Sequence, residues 1–392
     1  MTRLLAFALF LSIAITLTGG AHYYVWARLV RDPGLPPGTA RALGYGLVFL
    51  FLAIPGSLFL RRSAWGSRLE WLVWLSMTWL GLLLFLVLAL AVADLTRGSW
   101  QVARAFGDAA PLDAERRQVV ARLVAGAAAF VGGSLGFFAL RSGLARVQVR
   151  RTNVSLARLP KALSGLRLVQ LSDVHVGPTI HRSFIETIVA QCNALDPDII
   201  AITGDLVDGS VEELREHTAP LAQLKAKHGV FFVTGNHEYY SGAEEWCAEL
   251  ERLGIRVLRN ERVSIGDAAA SFDLAGVDDH SAKGHAPGHG EDLPKALAGR
   301  DATRELVLLA HQPRAIFEAQ HLGVGLQLSG HTHGGQLWPW TYLVRLQQPV
   351  VAGLARFGES LIYVSRGTGY WGPPMRLGAP AEIAELTLLA VT

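Results

Sequence analysis

The alternation of apolar and polar positions divides this chain into two unlike parts. Segments free of Asp, Glu, Lys and Arg run over residues 4–27, 42–60, 71–93 and 123–140. A helix needs about 20 apolar residues to cross a bilayer core, and each segment is that long or nearly so. One such stretch alone would read as a buried core helix. Four in succession, with Arg at their edges, read as transmembrane helices. Trp26, Trp65, Trp71 and Trp100 lie at or near segment ends, as interfacial aromatics do. The first segment could be a signal sequence, but its apolar region is too long and three further spans follow, so it is kept as a helix. In the fourth, Gly132 and Gly136 put two small residues four apart, a helix-packing pattern.

Past residue 145 the long apolar stretches give way to runs of four to six residues, which read as buried strands. An opening strand is expected over 147–156. Strands at 168–171, 199–202 and 230–233 are each followed by a helix, at 183–195, at 211–226 (around Pro220) and at 243–253. The second half is richer in strands: 257–258, 263–265, 272–277, 307–310, 326–329, 361–365 and 382–389. Two facing mixed sheets flanked by helices fit this order, giving an α/β domain over 146–392 behind a membrane module over 1–145.

Chemistry-bearing residues follow the apolar runs. They are Asp173 and His175 in Asp-Val-His, Asp205 and Asp208 in Gly-Asp-Leu-Val-Asp, and Asn236, His237 and Glu238 in Gly-Asn-His-Glu. Next come His311, and His331 and His333 in Gly-His-Thr-His. Each set sits just past the carboxyl end of a strand, where loops of α/β folds converge into sites. A phosphate ester repels nucleophiles. Two cations roughly 3.5–4 Å apart clamp its oxygens and lower the pKa of bound water. A carboxylate can bridge two cations, and Asp205 is the candidate bridge. Imidazole with carboxylate suits Mn, Fe, Zn or Co over Ca, with manganese the first choice. Asp208 and Glu238 are read as orienting ligands rather than binding metal. Asp278-Asp279-His280 is read as a solvent-facing turn at the cleft rim.

The five motifs in this order resemble the calcineurin-like metallophosphoesterase superfamily, over roughly residues 156–389. Leu171-Ser172-Asp173-Val174-His175, His331-Thr332-His333-Gly334-Gly335-Gln336 and Ser365-Arg366-Gly367-Thr368-Gly369 are similar to its bacterial YkuE-like branch. The resemblance implies a four-layer αββα sandwich. It implies a first divalent metal held by Asp173, His175, Asp205 and His333, and a second held by Asp205, Asn236, His311 and His331. His237 would contact the substrate phosphate or protonate the leaving group. After the last motif the chain runs Leu337-Trp338-Pro339-Trp340-Thr341-Tyr342, more aromatic than that branch leads one to expect; these rings either pack on the core or meet lipid.

Composition narrows the function. With 392 residues and a net charge of +3, nothing demands a nucleic-acid partner. The mean hydropathy of +0.29 fits a multi-pass protein of a bacterial-type inner membrane. Arginines on the two sides of the four spans are tied, and only the dense Arg61, Arg62 and Arg68 loop tips the catalytic domain to the cytoplasmic side. The basic run from Arg141 to Arg167 suits anionic headgroups or simply flanks the last helix. Cys192 and Cys247 have no metal-like spacing, and 281–299 reads as a surface insertion in which His285 and His289 could form a lid or capture metal. The expectation is a membrane-anchored hydrolase of phosphate mono- or diesters. A lipid-linked substrate such as UDP-2,3-diacylglucosamine comes first, then a phospholipid or polyprenyl phosphate, then a soluble nucleotide diester. The non-enzymatic alternative is a metal- or phosphate-binding sensor.

Overall fold

A computed structural model describes residues 3–61, 69–106, 113–285 and 288–391. The chain forms two compact units. One comprises Met1–Arg141 with Gly372–Met375; the other comprises Ser142–Trp371 with Arg376–Thr392.

The first unit is helical: α1 (Arg3–Trp26), α2 (Pro37–Arg61), α3 (Glu70–Ala105) and α4 (Ala114–Gly143). Among the described residues three helices are long and apolar enough to cross a membrane: Pro37–Ser57, Glu70–Ala103 and Glu115–Gly143. That is one span fewer than expected. The span expected at 4–27 falls on α1, whose first side chains lie partly outside the described residues. Trp65 and the Arg62–Arg68 loop also lie outside them. Helices α3 and α4 outrun their apolar stretches because polar residues with good helix propensity do not end a helix. Helix α4 begins where the Asp113 carboxylate accepts from Arg116 N at 2.8 Å, an N-terminal cap. Gly132 and Gly136 let α4 approach α3 closely. A Cβ would stand 2.9 Å from Leu86 at the first and 2.8 Å from Leu82 at the second. The few polar groups inside are paired: Trp79 Nε1 donates to His22 Nε2 at 2.8 Å, and Ser76 Oγ to Ala53 O at 3.0 Å.

The second unit holds two six-stranded mixed sheets. The first sheet comprises β1 (Gln148–Leu156), β2 (Leu166–Leu171), β3 (Ile199–Thr203), β4 (Val230–Val233), β5 (Arg256–Val257) and β12 (Glu382–Ala390), in the order β1-β12-β2-β3-β4-β5. The second comprises β6 (Glu261–Gly266), β7 (Ser271–Gly276), β8 (Leu306–Leu309), β9 (Leu326–Ser329), β10 (Gly353–Phe357) and β11 (Ser360–Val364), in the order β10-β11-β9-β8-β7-β6.

Central strands buried on both faces explain the continuous apolar runs. On β2, Leu166 and Leu168 enter the core between the sheets. Val169 and Leu171 face the helices α5 (Arg182–Ala194), α6 (Val211–Thr218) and α7 (Ala243–Arg252). On β8, Val307 and Leu309 enter the middle core; Leu306 and Leu308 face the outer layer of the second sheet. The result is four layers, αββα.

Two expectations are corrected. The helix expected over 211–226 ends at Thr218, because Pro220 turns the chain into a 3₁₀ segment, Ala219–Gln223. Asp278 and Asp279 do not face solvent: both are buried. Arg259 grips Asp278 at 2.9 and 3.0 Å, and Gln312 donates to Asp279 at 3.1 Å. Strand β10 is an addition: a half-exposed edge strand, antiparallel to β11.

Candidate metal centre

The register of the parallel strands brings the motifs together. Leu171 pairs with Ile202, Ile202 with Phe232, and Leu309 with Leu328. The five loops therefore leave their strands at one edge of the sandwich. Cross-links join the two sheets there: Gln170 Nε2 donates to Ser329 O at 2.9 Å, and His331 N to Asp173 Oδ1 at 2.8 Å.

The backbone at this edge is strained. Asp173, His175, Asp205, His331 and His333 hold φ of +51°, +54°, +51°, +69° and +50°. Non-glycine residues rarely occupy that left-handed region, at a cost of about 1–3 kcal/mol each, and outliers cluster at functional sites. Close packing enforces the loops. A Cβ on Gly235 would stand 2.2 Å from Asp205 Oδ1, so only glycine fits.

Three groups of ligand-type atoms result among the described residues: Asp173, His175 and His333; Asp205, His311 and His331; and His175, Asp208 and His237, each within 4.8 Å. His175 Nε2 and His333 Nε2 lie 3.1 Å apart. That is the spacing of neighbouring ligands about 2.0–2.1 Å from a shared ion. Asn236 Oδ1 lies 3.1 Å from His331 Nδ1. His311 Nδ1–H donates to Thr203 O at 2.7 Å, a backbone brace that fixes the ring's orientation, as the histidines of metal sites are commonly braced. The other nitrogen, Nε2, is buried with no hydrogen-bond partner, although Asp205 Oδ2 is 3.1 Å away. A buried Asp/His/Asn donor set whose ligand atoms converge in this way fits a divalent cation.

The surrounding groups orient this set. Asp208 spans two rings, His237 Nδ1 at 2.5 Å and His175 Nδ1 at 3.2 Å. Glu238 accepts from the backbone N–H of Gly235, Asp205, Leu206 and Val207 at 2.6, 2.9, 2.8 and 3.3 Å. These hydrogen bonds are the ones that the orienting roles expected of both carboxylates require, and Asp208 also stands within 4.8 Å of ligand atoms of His175 and His237. Sequence reasoning missed Arg376, wholly buried behind His333 with Nη2 3.4 Å from the ring's Nδ1. It also missed Tyr240 and Trp371, whose rings stand 5.3 and 5.5 Å from that of His237. None of these contacts has a local sequence signal. His289 contacts Arg259 at 2.8 Å and Glu244 at 3.1 Å, and His285 packs on Tyr240.

The electrostatics set His311 apart: burial disfavours its charge, but the Asp205 carboxylate beside it outweighs burial and holds the ring well above the usual imidazole range, so a cation bound there would displace a proton. Burial pushes His331 down to about 4, and neighbouring His311 adds to this. Burial, His175 and Arg376 push His333 down as well. Both rings are thus neutral, as metal ligands must be. Burial opposes protonation of His237 too, but the Asp208 hydrogen bond and the Asp205 charge outweigh it and raise the ring to about 9.

The segment 166–335 matches the calcineurin-like phosphoesterase family model. Relatives extend the likeness to the helices. A "Transmembrane protein with metallophosphoesterase domain" of Danio rerio is 37% identical over 383 residues, 93% of this chain and 85% of the relative. This chain belongs to the calcineurin-like phosphoesterase family. A metallophosphoesterase of Campylobacter jejuni is 30% identical over 388 residues, covering 97% of this chain and 98% of the relative. The metallophosphoesterase YkuE of Bacillus subtilis is 28% identical over 252 residues, 62% of this chain and 85% of the relative. The protein is a phosphoesterase of a family that uses divalent metal ions, and a membrane protein.

Proposed function

We propose that this phosphoesterase acts on a lipid-linked phosphate mono- or diester, with UDP-2,3-diacylglucosamine the leading candidate. In this reading Asp173, His175, Asp205 and His333 hold one divalent cation, and Asp205, Asn236, His311 and His331 hold a second, manganese being preferred. Bound there, the cations would polarise the phosphate and supply a nucleophilic oxygen from water at neutral pH. The protein's own contribution is orientation and a proton. Asp208 accepts the Nδ1–H of His237, which leaves Nε2–H to donate to the departing oxygen, a contribution of roughly 10²–10⁴ in rate. The observation that carries the metal assignment is the convergence of buried ligand atoms, Asp173 with His175 and His333, and Asp205 with His311 and His331, each set within 4.8 Å. The lipid-linked substrate is supported by the three apolar helices that tie the hydrolase to a bilayer. The same reading puts the membrane module at 1–145 and the catalytic domain at 146–392, facing the cytoplasm of a bacterial-type cell on the strength of the closely spaced Arg61, Arg62 and Arg68 in the sequence.

The test is turnover by the purified, manganese-loaded full chain. The panel holds UDP-2,3-diacylglucosamine, a phospholipid, a polyprenyl phosphate and a soluble nucleotide diester, read by phosphate release and by mass spectrometry of the lipids. Preference for a lipid-linked ester is expected. Faster turnover of the soluble diester would overturn the substrate reading and leave the phosphoesterase assignment intact.

A further inference from the structure

The segment after the last motif is neither core nor loop filler. Leu337 is buried and anchors it. Trp338 N donates to Leu377 O at 2.9 Å, and Thr341 Oγ1 to Gly334 O at 3.3 Å. From that base a short helix, Thr341–Val344, lifts its neighbours into solvent. Trp338 is 50% exposed, Trp340 52%, Tyr342 59%, Leu343 49% and Leu346 81%. Large apolar side chains exposed together mark an interaction surface.

This ledge adjoins the metal centre. Gln336, three residues past His333, clasps the Trp371 backbone in both directions, Nε2 to O at 2.9 Å and N to Oε1 at 3.0 Å. The Trp371 ring in turn stands beside His237.

We propose that the ledge docks into the headgroup layer of an anionic bilayer, so that the mouth of the site opens at the lipid surface. Three observations choose this occupant. First, the chain carries its own apolar helices, so a bilayer is always within reach. Second, Trp and Tyr with an apolar body and a polar tip are the side chains that settle at that depth. Third, the charge is of one sign. No Asp or Glu occurs in residues 319–358 or 360–381, while Arg345 lies in the ledge with its guanidinium 5.8 Å from the Tyr342 ring. Cationic groups beside an apolar surface favour anionic lipid. The inference rests on the membrane helices and not on the substrate, so a soluble substrate would leave it standing.

Spin labels test it directly. The full chain, with Leu343→Cys or Leu346→Cys labelled, is reconstituted in vesicles of phosphatidylcholine and phosphatidylglycerol. Cys192 and Cys247 are buried, which directs the label to the new thiol. Phe317→Cys, exposed on the short helix Ile316–Ala319 outside the ledge, is the reference. Retained turnover of a soluble aryl phosphate ester verifies folding. Collision with apolar oxygen should exceed collision with a water-soluble nickel chelate at 343 and 346, and the reverse should hold at 317. Nickel accessibility at 343 and 346 equal to that at 317 would overturn the proposal. So would shielding from both reagents, the signature of a protein contact such as a second copy.

Discussion

Glu238→Gln tests the architecture of the metal centre with the smallest change in shape. In the wild type each carboxylate oxygen accepts two backbone N–H groups. Oε2 takes Gly235 at 2.6 Å and Asp205 at 2.9 Å; Oε1 takes Leu206 at 2.8 Å and Val207 at 3.3 Å. Glutamine keeps one oxygen and replaces the other with NH₂, so two buried N–H groups lose their acceptor in either orientation. The milder choice sacrifices Leu206 and the long bond to Val207. At about 1–3 kcal/mol for a buried donor left unsatisfied, one full and one weak loss come to about 2–4 kcal/mol. For a unit of this size that is a fall in melting temperature of roughly 5–15 °C. Asp205 sits on the same loop, so divalent-metal affinity should weaken about 10–100-fold as well, as it does when the support of a ligand is removed.

The assay is thermal unfolding of the metal-free full chain near neutral pH, followed by metal titration. Its outcome decides between two protonation states. Burial and the Asp205 charge push the Glu238 carboxyl up to about 7, whereas four inward-pointing N–H groups demand a pure acceptor. If the carboxyl carried a proton, one of its oxygens would already oppose an N–H with an O–H, and glutamine would be nearly silent. An unchanged melting temperature together with unchanged metal affinity would therefore refute the reading of Glu238 as the ionised clamp on the Asp205 loop.

Two further outcomes are expected. Asp205→Asn should lower bound metal from two ions per chain and abolish most turnover, because a neutral amide bridges cations poorly; elemental analysis showing both ions retained would sink the bridging role. Asp208→Asn bears on pH. His237 is raised to about 9 because Asp208 and Asp205 overcome its burial, so the acid form is present below that pKa and is lost as pH rises through it. Removing the Asp208 charge should shift the alkaline limb of the pH–rate profile to lower pH on esters with poor leaving groups. Nearby cations lower both curves alike, so a limb at the same pH in variant and wild type would dismiss His237 as the acid.

Much of the α/β unit was legible because its central strands are buried on both faces. A run such as Val230–Val233 has no polar position to blur its ends, and the observed strand has the expected bounds. The clustering of the candidate ligands was legible for a related reason: they stand immediately past those runs, so strand order alone brings them together. What was not legible depends on partners distant in sequence. Asp278 and Asp279 look like a polar turn until Arg259 and Gln312 are seen to bury them. Arg376 looks like any surface arginine, yet it donates to the carbonyls of Gly369 and Ala379 behind His333. Strand β10 has only one partner and half-exposed residues, so its pattern is faint.

The left-handed residues show why this site needs so large a scaffold. Nothing in the letters Asp or His announces a φ near +50°, and five such residues in one cluster each cost about 1–3 kcal/mol. A stable domain has only about 5–15 kcal/mol to spare in all. The strain is therefore tolerable only where the flanking strands are already committed. Here β2, β3, β8 and β9 deliver the loops from the interior of two packed sheets. Ser172 Oγ donates to Thr203 O at 3.1 Å, and Asp173 N to Gly204 O at 3.1 Å, tying one strained loop to the next. The donor set is thus held in place by the fold in advance of any ligand, which is what preorganised chemistry requires. It follows that core substitutions beneath β2 or β3 should relax these loops and weaken metal binding before they unfold the unit. Ile202→Val, one methylene smaller at a buried position directly before Thr203 and Gly204, should cost about 0.5–1.5 kcal/mol of stability. Its metal affinity should fall by more than that loss of global stability alone produces. Equal metal affinity in variant and wild type would show that the loops hold their shape independently of the sheet.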